Sequence, residues 1–226
     1  MALGTWAVLV AAGRGERLGE GRPKSFVALG ELPLLAEPLR RLDGCDLVDA
    51  VVVVAPPGWE EPAILLAEEL GTSKVSACVP GGETRTDSVR AGVGEVPEEA
   101  AAILVHDAAR PLLDESVIER VLGALGEGFD GAVPALPLAD TVKRVDGAVV
   151  VETVDRSELV AVQTPQGFVA PVLRAALAAS AGDPGASTDC ASLVERHGGR
   201  VKVVAGDERL LKVTTRADLE RVAAWL

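Results

Sequence analysis

WAVLVAAGRGERLGEGRPK, Trp6 to Lys24, holds the sharpest change of character in the chain. Its first part, Trp6 to Val10, is apolar and rich in valine, without the polar alternation of a half-exposed strand. That is the mark of a strand covered on both faces, as in a parallel sheet. Its second part, AAGRGERLGEGRPK from Ala11 to Lys24, turns at once to glycine and charge. Ligands of open parallel sheets bind beyond the carboxyl ends of the strands, and glycine lets backbone N–H groups approach phosphate oxygens closely. Gly13, Gly15, Gly19 and Gly21 therefore make the expected phosphate loop. Arg14, Arg17, Arg22 and Lys24 face only Glu16 and Glu20 there, a local charge of +2 in a chain of formal net charge −12. The segment is not a Walker A loop, because Gly-Lys followed by Ser or Thr is missing. It is not a GxGxxG fingerprint either, since Leu18 stands where the third glycine belongs. An ordinary glycine-rich turn with solvated arginines stays open as the alternative.

Further buried strands are expected at Ala50 to Ala55, Val75 to Val79, Ile103 to Val105 and Gly131 to Val133. Helical spacing falls between them, at Leu34 to Leu42, Glu60 to Leu70, Asp87 to Val93 and Ser116 to Leu125. Alternation of strand and helix implies an α/β fold with a mostly parallel sheet flanked by helices. Pro33 and Pro62 suit first helical turns, Gly71 follows a helical run, and Asp114 suits a cap. The rhythm breaks at Asp140 to Val154, where TVKRV, Asp146-Gly147 and AVVVETV read as a β-hairpin projecting from the body. Helices at Pro171 to Ser180, Asp189 to His197 and Arg216 to Trp225 follow, with strands near Val201 to Ala205 and Leu211 to Val213. No linker divides the chain, so residues 1–226 read as a single domain.

The acidic balance, 22 Lys plus Arg against 34 Asp plus Glu, argues against diffuse attraction to nucleic acid or an anionic membrane. An anionic ligand must be met by local positive charge. Cys45, Cys78 and Cys190 are odd in number and lack metal spacing, which fits a reducing cytoplasm. The run Trp6 to Ala12 is far shorter than the roughly 20 residues needed to span a bilayer.

Two more clusters follow strands. GGETRTDSV, Gly81 to Val89, opens a helix whose first-turn N–H groups, with Thr86 and Ser88, can hold a base edge or phosphate. Thr86 or Asp87 serving only as a cap is the competing reading. VHDAARP, Val105 to Pro111, offers Asp107 for Mg²⁺ or a substrate hydroxyl and Arg110 for a phosphate. His106 beside them reads more as a residue that orients backbone than as an acid or base.

AAGRGERLG, GGETRTDSV, HDAARP, DTVKR with TVDR, QTPQ, TDCAS and LKVTT, in that order, resemble the 2-C-methyl-D-erythritol 4-phosphate cytidylyltransferases over nearly the whole chain. The resemblance implies a Rossmann-like nucleotidyltransferase fold with a β-arm that crosses onto a second subunit, hence a homodimer. It matches Arg17 and Lys24 to the pair that stabilises the transition state at phosphorus, and Arg156 and Lys212 to the pair that positions the attacking phosphate. Ala11, Ala12, Gly13, Gly15, Gly82, Glu83 and Ser88 fall where CTP is held. Asp107, Arg110, Thr141, Thr164 and Thr188 fall on the substrate side. Cys190 stands where the family often has an acidic residue. A thiol nucleophile there lacks a neighbouring base in sequence, and a small buried side chain is the favoured reading.

The implied reaction joins CTP to a polyol phosphate with Mg²⁺ as cofactor and without a covalent enzyme intermediate. A pentitol-phosphate cytidylyltransferase and a nucleotide-binding protein without catalysis stand as alternatives, distinguished by the acceptor pocket and by pyrophosphate release.

Overall fold

A computed structural model describes residues 4–13, 21–180 and 189–226. The first apolar run forms β1 (Thr5–Val10), in which Ala7, Val8 and Leu9 are wholly buried. Successive strand side chains point to opposite faces. Ala7 and Leu9 pack with Val51, Val53 and Leu104 in one core, and Val8 packs with Val52, Val54, Ile103 and Val105 in the other. Both faces are covered, so neither can carry polar residues, and the sequence shows no alternation.

β1 lies between β4 (Ala50–Ala55) and β6 (Ala102–Asp107), parallel to both, and β5 (Val75–Pro80) extends the sheet beyond β4. On the far side of β6 come β11 (Gln166–Val169), antiparallel to its neighbours, β7 (Gly131–Pro137) and β10 (Val160–Val162). β12 (Val201–Ala205) pairs in parallel with β7. The chain leaves β1 toward β5 and then returns to place β6 on β1's other side. Such a reversal opens a crevice at the carboxyl ends of the two strands.

One face is covered by α1 (Ala36–Gly44), α2 (Glu60–Glu69) and α4 (Glu115–Gly126). The other carries α3 (Arg85–Gly94), α5 (Ala170–Ala179) and α6 (Ala191–Arg196). α7 (Arg216–Ala223) closes the described chain over a smaller cluster that includes Leu34, Leu112 and Val213. α3 approaches the sheet at Gly92, where a Cβ would stand 2.5 Å from Val8 Cγ1 and 2.7 Å from Val54 Cγ2. Absence of a side chain sets that helix close to β1 and β4.

Asp114 caps α4 by accepting from the Ser116 N–H at 3.0 Å, and Gly71, with φ +68°, follows α2 as expected. Several expectations are corrected. Pro33 belongs to β3 (Leu32–Pro33), which pairs with β2 (Ala28–Leu29), and α1 begins only at Ala36. Leu211 to Val213 is no strand: the Val213 N–H bonds the Ala109 carbonyl at 2.8 Å, so the segment is pinned as a loop beside the end of β6.

The hairpin exists as β8 (Val142–Asp146) and β9 (Val149–Val154), a two-stranded sheet separate from the main one. Its turn is shifted by one residue from the expected Asp146-Gly147. Asp146 pairs with Val149, leaving Gly147 and Ala148 as the loop, and only Gly147 has positive φ, at +57°. Glycine at the first central position is what a type II′ turn requires. A bulge between Arg144 and Val145 inserts one extra residue on β9, so the pairing passes from Glu152 to Val150.

Candidate active site

The carboxyl ends of β1 and β6 and the start of α3 enclose a cleft of about 420 Å³. Val10 to Gly13 form one wall, Gly82 to Arg85 with Ser88 a second, and Asp107 to Ala109 a third; Lys24, Ser25 and Lys212 complete it among the described residues. Backbone and hydroxyl bonds fix these walls to one another. The Ala11 N–H reaches the Val54 carbonyl and the Gly81 N–H the Ala55 carbonyl, both at 2.8 Å. Ser25 Oγ donates to the Ala11 carbonyl at 2.8 Å.

Gly81 is required by closeness: a Cβ there would lie 2.2 Å from the Cβ of Ala12, and one at Gly82 would lie 2.4 Å from that of Asp87. Ser88 ties the same corner, donating to the Thr84 carbonyl at 3.0 Å and accepting from the Gly82 N–H at 3.1 Å. α3 is capped by Thr84 in a reciprocal box with Asp87, rather than by Thr86 or Asp87 acting as the cap. Capping and cleft formation are done by one segment, and the two readings of GGETRTDSV merge.

At the cleft's centre lies an ion cluster. Asp107, 7% exposed, accepts on Oδ1 from Arg85 Nε at 3.1 Å and Nη2 at 2.9 Å, and on Oδ2 from Lys212 Nζ at 2.6 Å. Burial pushes its carboxyl up, but Arg85 and Lys212 together hold it well below the usual carboxylate range. The Arg85 guanidinium gives up solvation on burial, yet the Asp107 charge beside it keeps it firmly protonated. Lys24, on the short 3₁₀ turn Lys24–Phe26, donates from Nζ to the Val213 carbonyl at 3.0 Å, which holds its ammonium at the cleft's edge.

Of the residues matched to the resemblance, Ala11, Ala12, Gly13, Lys24, Gly82, Glu83, Ser88, Asp107 and Lys212 line this cleft. Gly15, Arg17 and Thr188 lie outside the described residues. Four others stand elsewhere in this chain. Thr164 is buried beneath the end of β6, where its Oγ1 accepts from the Asp107 N–H at 3.0 Å; it supports Asp107 from behind. Arg110 directs its guanidinium to the Leu210 carbonyl at 2.6 Å and the Val162 carbonyl at 3.3 Å, so it staples the loop before Lys212 to β10. Thr141 and Arg156 are exposed at the base of the hairpin, and the Arg156 guanidinium donates to the Ala139 carbonyl.

Sequence reasoning missed Arg85. It stands at the first position of α3, where a cation opposes the helix dipole, and that misplacement signals a carboxylate partner nearby. Cys190, 1% exposed, faces Arg85 Nη1 at 3.6 Å, and burial pushes its thiol up to about 11, as befits a small core residue.

His106 is fully buried and bonds the Arg110 carbonyl through Nε2 at 3.0 Å. A carbonyl can only accept, so Nε2 carries the proton and Nδ1 accepts from the Thr164 hydroxyl at 3.1 Å. Burial pushes its pKa from 6.5 to about 4, so it is neutral in the fold and orients the turn rather than carrying protons. The unfolded chain takes up that proton first. Stability is therefore complete above about pH 6.5 and falls by roughly 3 kcal/mol as the pH drops toward 4. Urea unfolding across that range is expected to show a shallower pH slope for His106→Gln than for the parent; equal slopes would refute the buried neutral imidazole.

Residues 5–226 match the family model described as IspD, 2-C-methyl-D-erythritol 4-phosphate cytidylyltransferase. A curated relative of that name from Nocardia farcinica is 49% identical over 94% of this chain and 90% of its own length. Another from Saccharopolyspora erythraea is 49% identical over 97% and 98%, respectively. A solved 2-C-methyl-D-erythritol 4-phosphate cytidylyltransferase from Thermus thermophilus superposes with a TM-score of 0.78 at 32% identity, covering 96% of each chain.

Proposed function

The chain belongs to the 2-C-methyl-D-erythritol 4-phosphate cytidylyltransferases, and from that premise we propose how its cleft carries out the chemistry. It is a nucleotidyltransferase that moves CMP from CTP to 2-C-methyl-D-erythritol 4-phosphate. The products are 4-(cytidine 5'-diphospho)-2-C-methyl-D-erythritol and pyrophosphate, in the non-mevalonate synthesis of isoprenoid precursors.

A phosphate monoester has a second pKa of about 6, so the acceptor is largely a dianion at neutral pH and needs no general base. One of its oxygens attacks the α-phosphorus of CTP. The bond from that phosphorus to the bridging oxygen breaks, and pyrophosphate takes the electron pair. The protein's task is to bring two anions together and to stabilise charge spreading over the α-phosphoryl group. Lys24 and Arg17 serve the α-phosphate, and Lys212 with Arg156 the incoming phosphate. The backbone of Ala11 to Gly13 cradles the triphosphate, and Gly82, Glu83 and Ser88 hold the base.

The observation that carries this reading is the gathering of Lys24, Arg85 and Lys212 around one cleft at the sheet's reversal, in a chain of net charge −12. Mg²⁺ binds through substrate phosphates plus one or two carboxylates. The described lining offers Asp107 and Glu83, and no group of three or more ligating side chains occurs among the described residues. Such a lining suits an ion carried in on the triphosphate. Asp107 already meets two cations, so as a direct ligand it would first have to release Lys212. Bound there, Mg²⁺ would neutralise phosphoryl oxygens.

Residues 1–226 act as a single domain in this reading, with 140–154 as the arm of a homodimer. No described helix is long and apolar enough to cross a membrane, and a metabolic role with free thiols suits the cytoplasm. The test is incubation of the pure protein and Mg²⁺ with each nucleoside triphosphate against a panel of polyol phosphates, with products identified by mass. CTP with 2-C-methyl-D-erythritol 4-phosphate is expected to be the preferred pair; preference for ribitol 5-phosphate or absence of pyrophosphate would overturn the assignment.

A further inference from the structure

The cation cluster is asymmetric. Arg85 makes two bonds to one oxygen of Asp107 and is 24% exposed at its side chain, whereas Lys212 makes one bond to the other oxygen and is 41% exposed. Arg85 is the fixed partner and Lys212 the accessible one. On the far side of the guanidinium stands Cys190, a neutral thiol, so the carboxylate that Arg85 meets is Asp107. The planar fork and the helix start that carries it hold Arg85 in that place.

Lys212 spends one of its three N–H donors on Asp107, and it must loosen that hold if an incoming phosphate is to gain its full charge. Withdrawing the last counter-ion from a carboxylate that is 7% exposed strands a nearly buried charge, which is strongly unfavourable. With Arg85 in place Asp107 stays compensated, and the exchange of Lys212 from carboxylate to phosphate becomes easy.

We infer that Arg85 is a positioning residue for the acceptor: it holds Asp107 so that Lys212 is free to bind the substrate phosphate. The inference rests on the reading of Lys212 as a phosphate ligand, and the experiment separates the two. Steady-state kinetics are measured for both substrates with the parent protein, Arg85→Gln, Arg85→Lys, Lys212→Ala, Asp107→Asn and the Arg85→Gln/Asp107→Asn double variant. Arg85→Gln is expected to raise the acceptor KM on the order of 10- to 100-fold, the range for leaving a buried charge partly unpaired, with the CTP KM nearly unchanged.

Arg85→Lys keeps the charge but loses the fork, and is expected to fall between Arg85→Gln and the parent. In the double variant the Arg85 change adds nothing to the effect of Asp107→Asn, because without the carboxylate charge there is nothing left to hold Lys212 back. A purely structural role, or direct contact of Arg85 with substrate, would add instead, and additive losses would overturn the inference. So would an unchanged acceptor KM in Arg85→Gln when Lys212→Ala raises it. An unchanged acceptor KM in Lys212→Ala would remove the reading of Lys212 itself, and the inference with it. Should Arg85→Gln fail to fold, parent-like kinetics in folded Arg85→Lys would be sufficient to reject it.

Discussion

Lys24→Ala and Arg17→Ala are each expected to lower kcat by about 10²- to 10³-fold, the loss that follows when one preorganised charge is removed from a developing phosphoryl transition state. For Lys24 the argument is geometric. Its ammonium stands at the edge of the cleft on a short turn whose next residue, Ser25, is bonded to the Ala11 carbonyl at 2.8 Å. Its own bond to the Val213 carbonyl, at 3.0 Å, joins the β1 loop to the segment that carries Lys212. The charge is therefore in place before substrate arrives, and no reorganisation is needed at the moment of reaction. Arg17 lies outside the described residues, and its expected effect rests on its place in the basic loop. Circular dichroism should show both variants folded, since each exchanges a charged side chain for alanine and Lys24 is not part of the buried core. Near-parent turnover in both would sink the catalytic assignment.

Much of the fold was legible because buried parallel strands leave a plain signature. β4 runs from Ala50 to Ala55 just as its valines predict, and β6 extends the expected Ile103 to Val105 by Ala102 at one end and by His106 and Asp107 at the other. Those two polar ends are where the site begins, so hydrophobicity alone cuts the strand short of its functional tip. β10 and β11 escaped notice because they are short and pair antiparallel across long sequence separations. Leu211 and Val213 look like a strand but are held in a loop by contacts to Ala109 and to the core under α7.

The cleft was legible where backbone forms it, at Ala11 to Gly13 and Gly82. It was less so where long side chains choose among partners. Arg110 and Arg85 are equally good phosphate ligands by residue type, yet Arg110 staples two carbonyls and Arg85 faces the cleft. Only packing decides which way a guanidinium turns.

Mixing Lys24→Ala protein with Arg156→Ala protein is expected to restore activity that neither has alone, the outcome required by the proposal that each complete site draws Lys24 from one subunit and Arg156 from the other. The hairpin supplies the reason to expect this. Val145, Val149, Val150 and Val151 are each more than half exposed, and the two strands form a sheet apart from the main one. An isolated hairpin is marginally stable in water, and four solvent-facing valines call for a partner. A second copy of the chain is the commonest partner for such a surface, through a twofold contact. Arg156 is exposed at the arm's base and stands outside its own chain's cleft lining, which suits delivery to a neighbour. After full subunit exchange, half of the dimers are hybrids with one intact site in two, so activity should recover to about a quarter of the parent level. Sedimentation would report the dimer independently, and Val150→Asp on the arm should shift it toward monomer with loss of turnover. A fully active monomer at assay concentration would refute the composite site, as would verified subunit exchange without recovery.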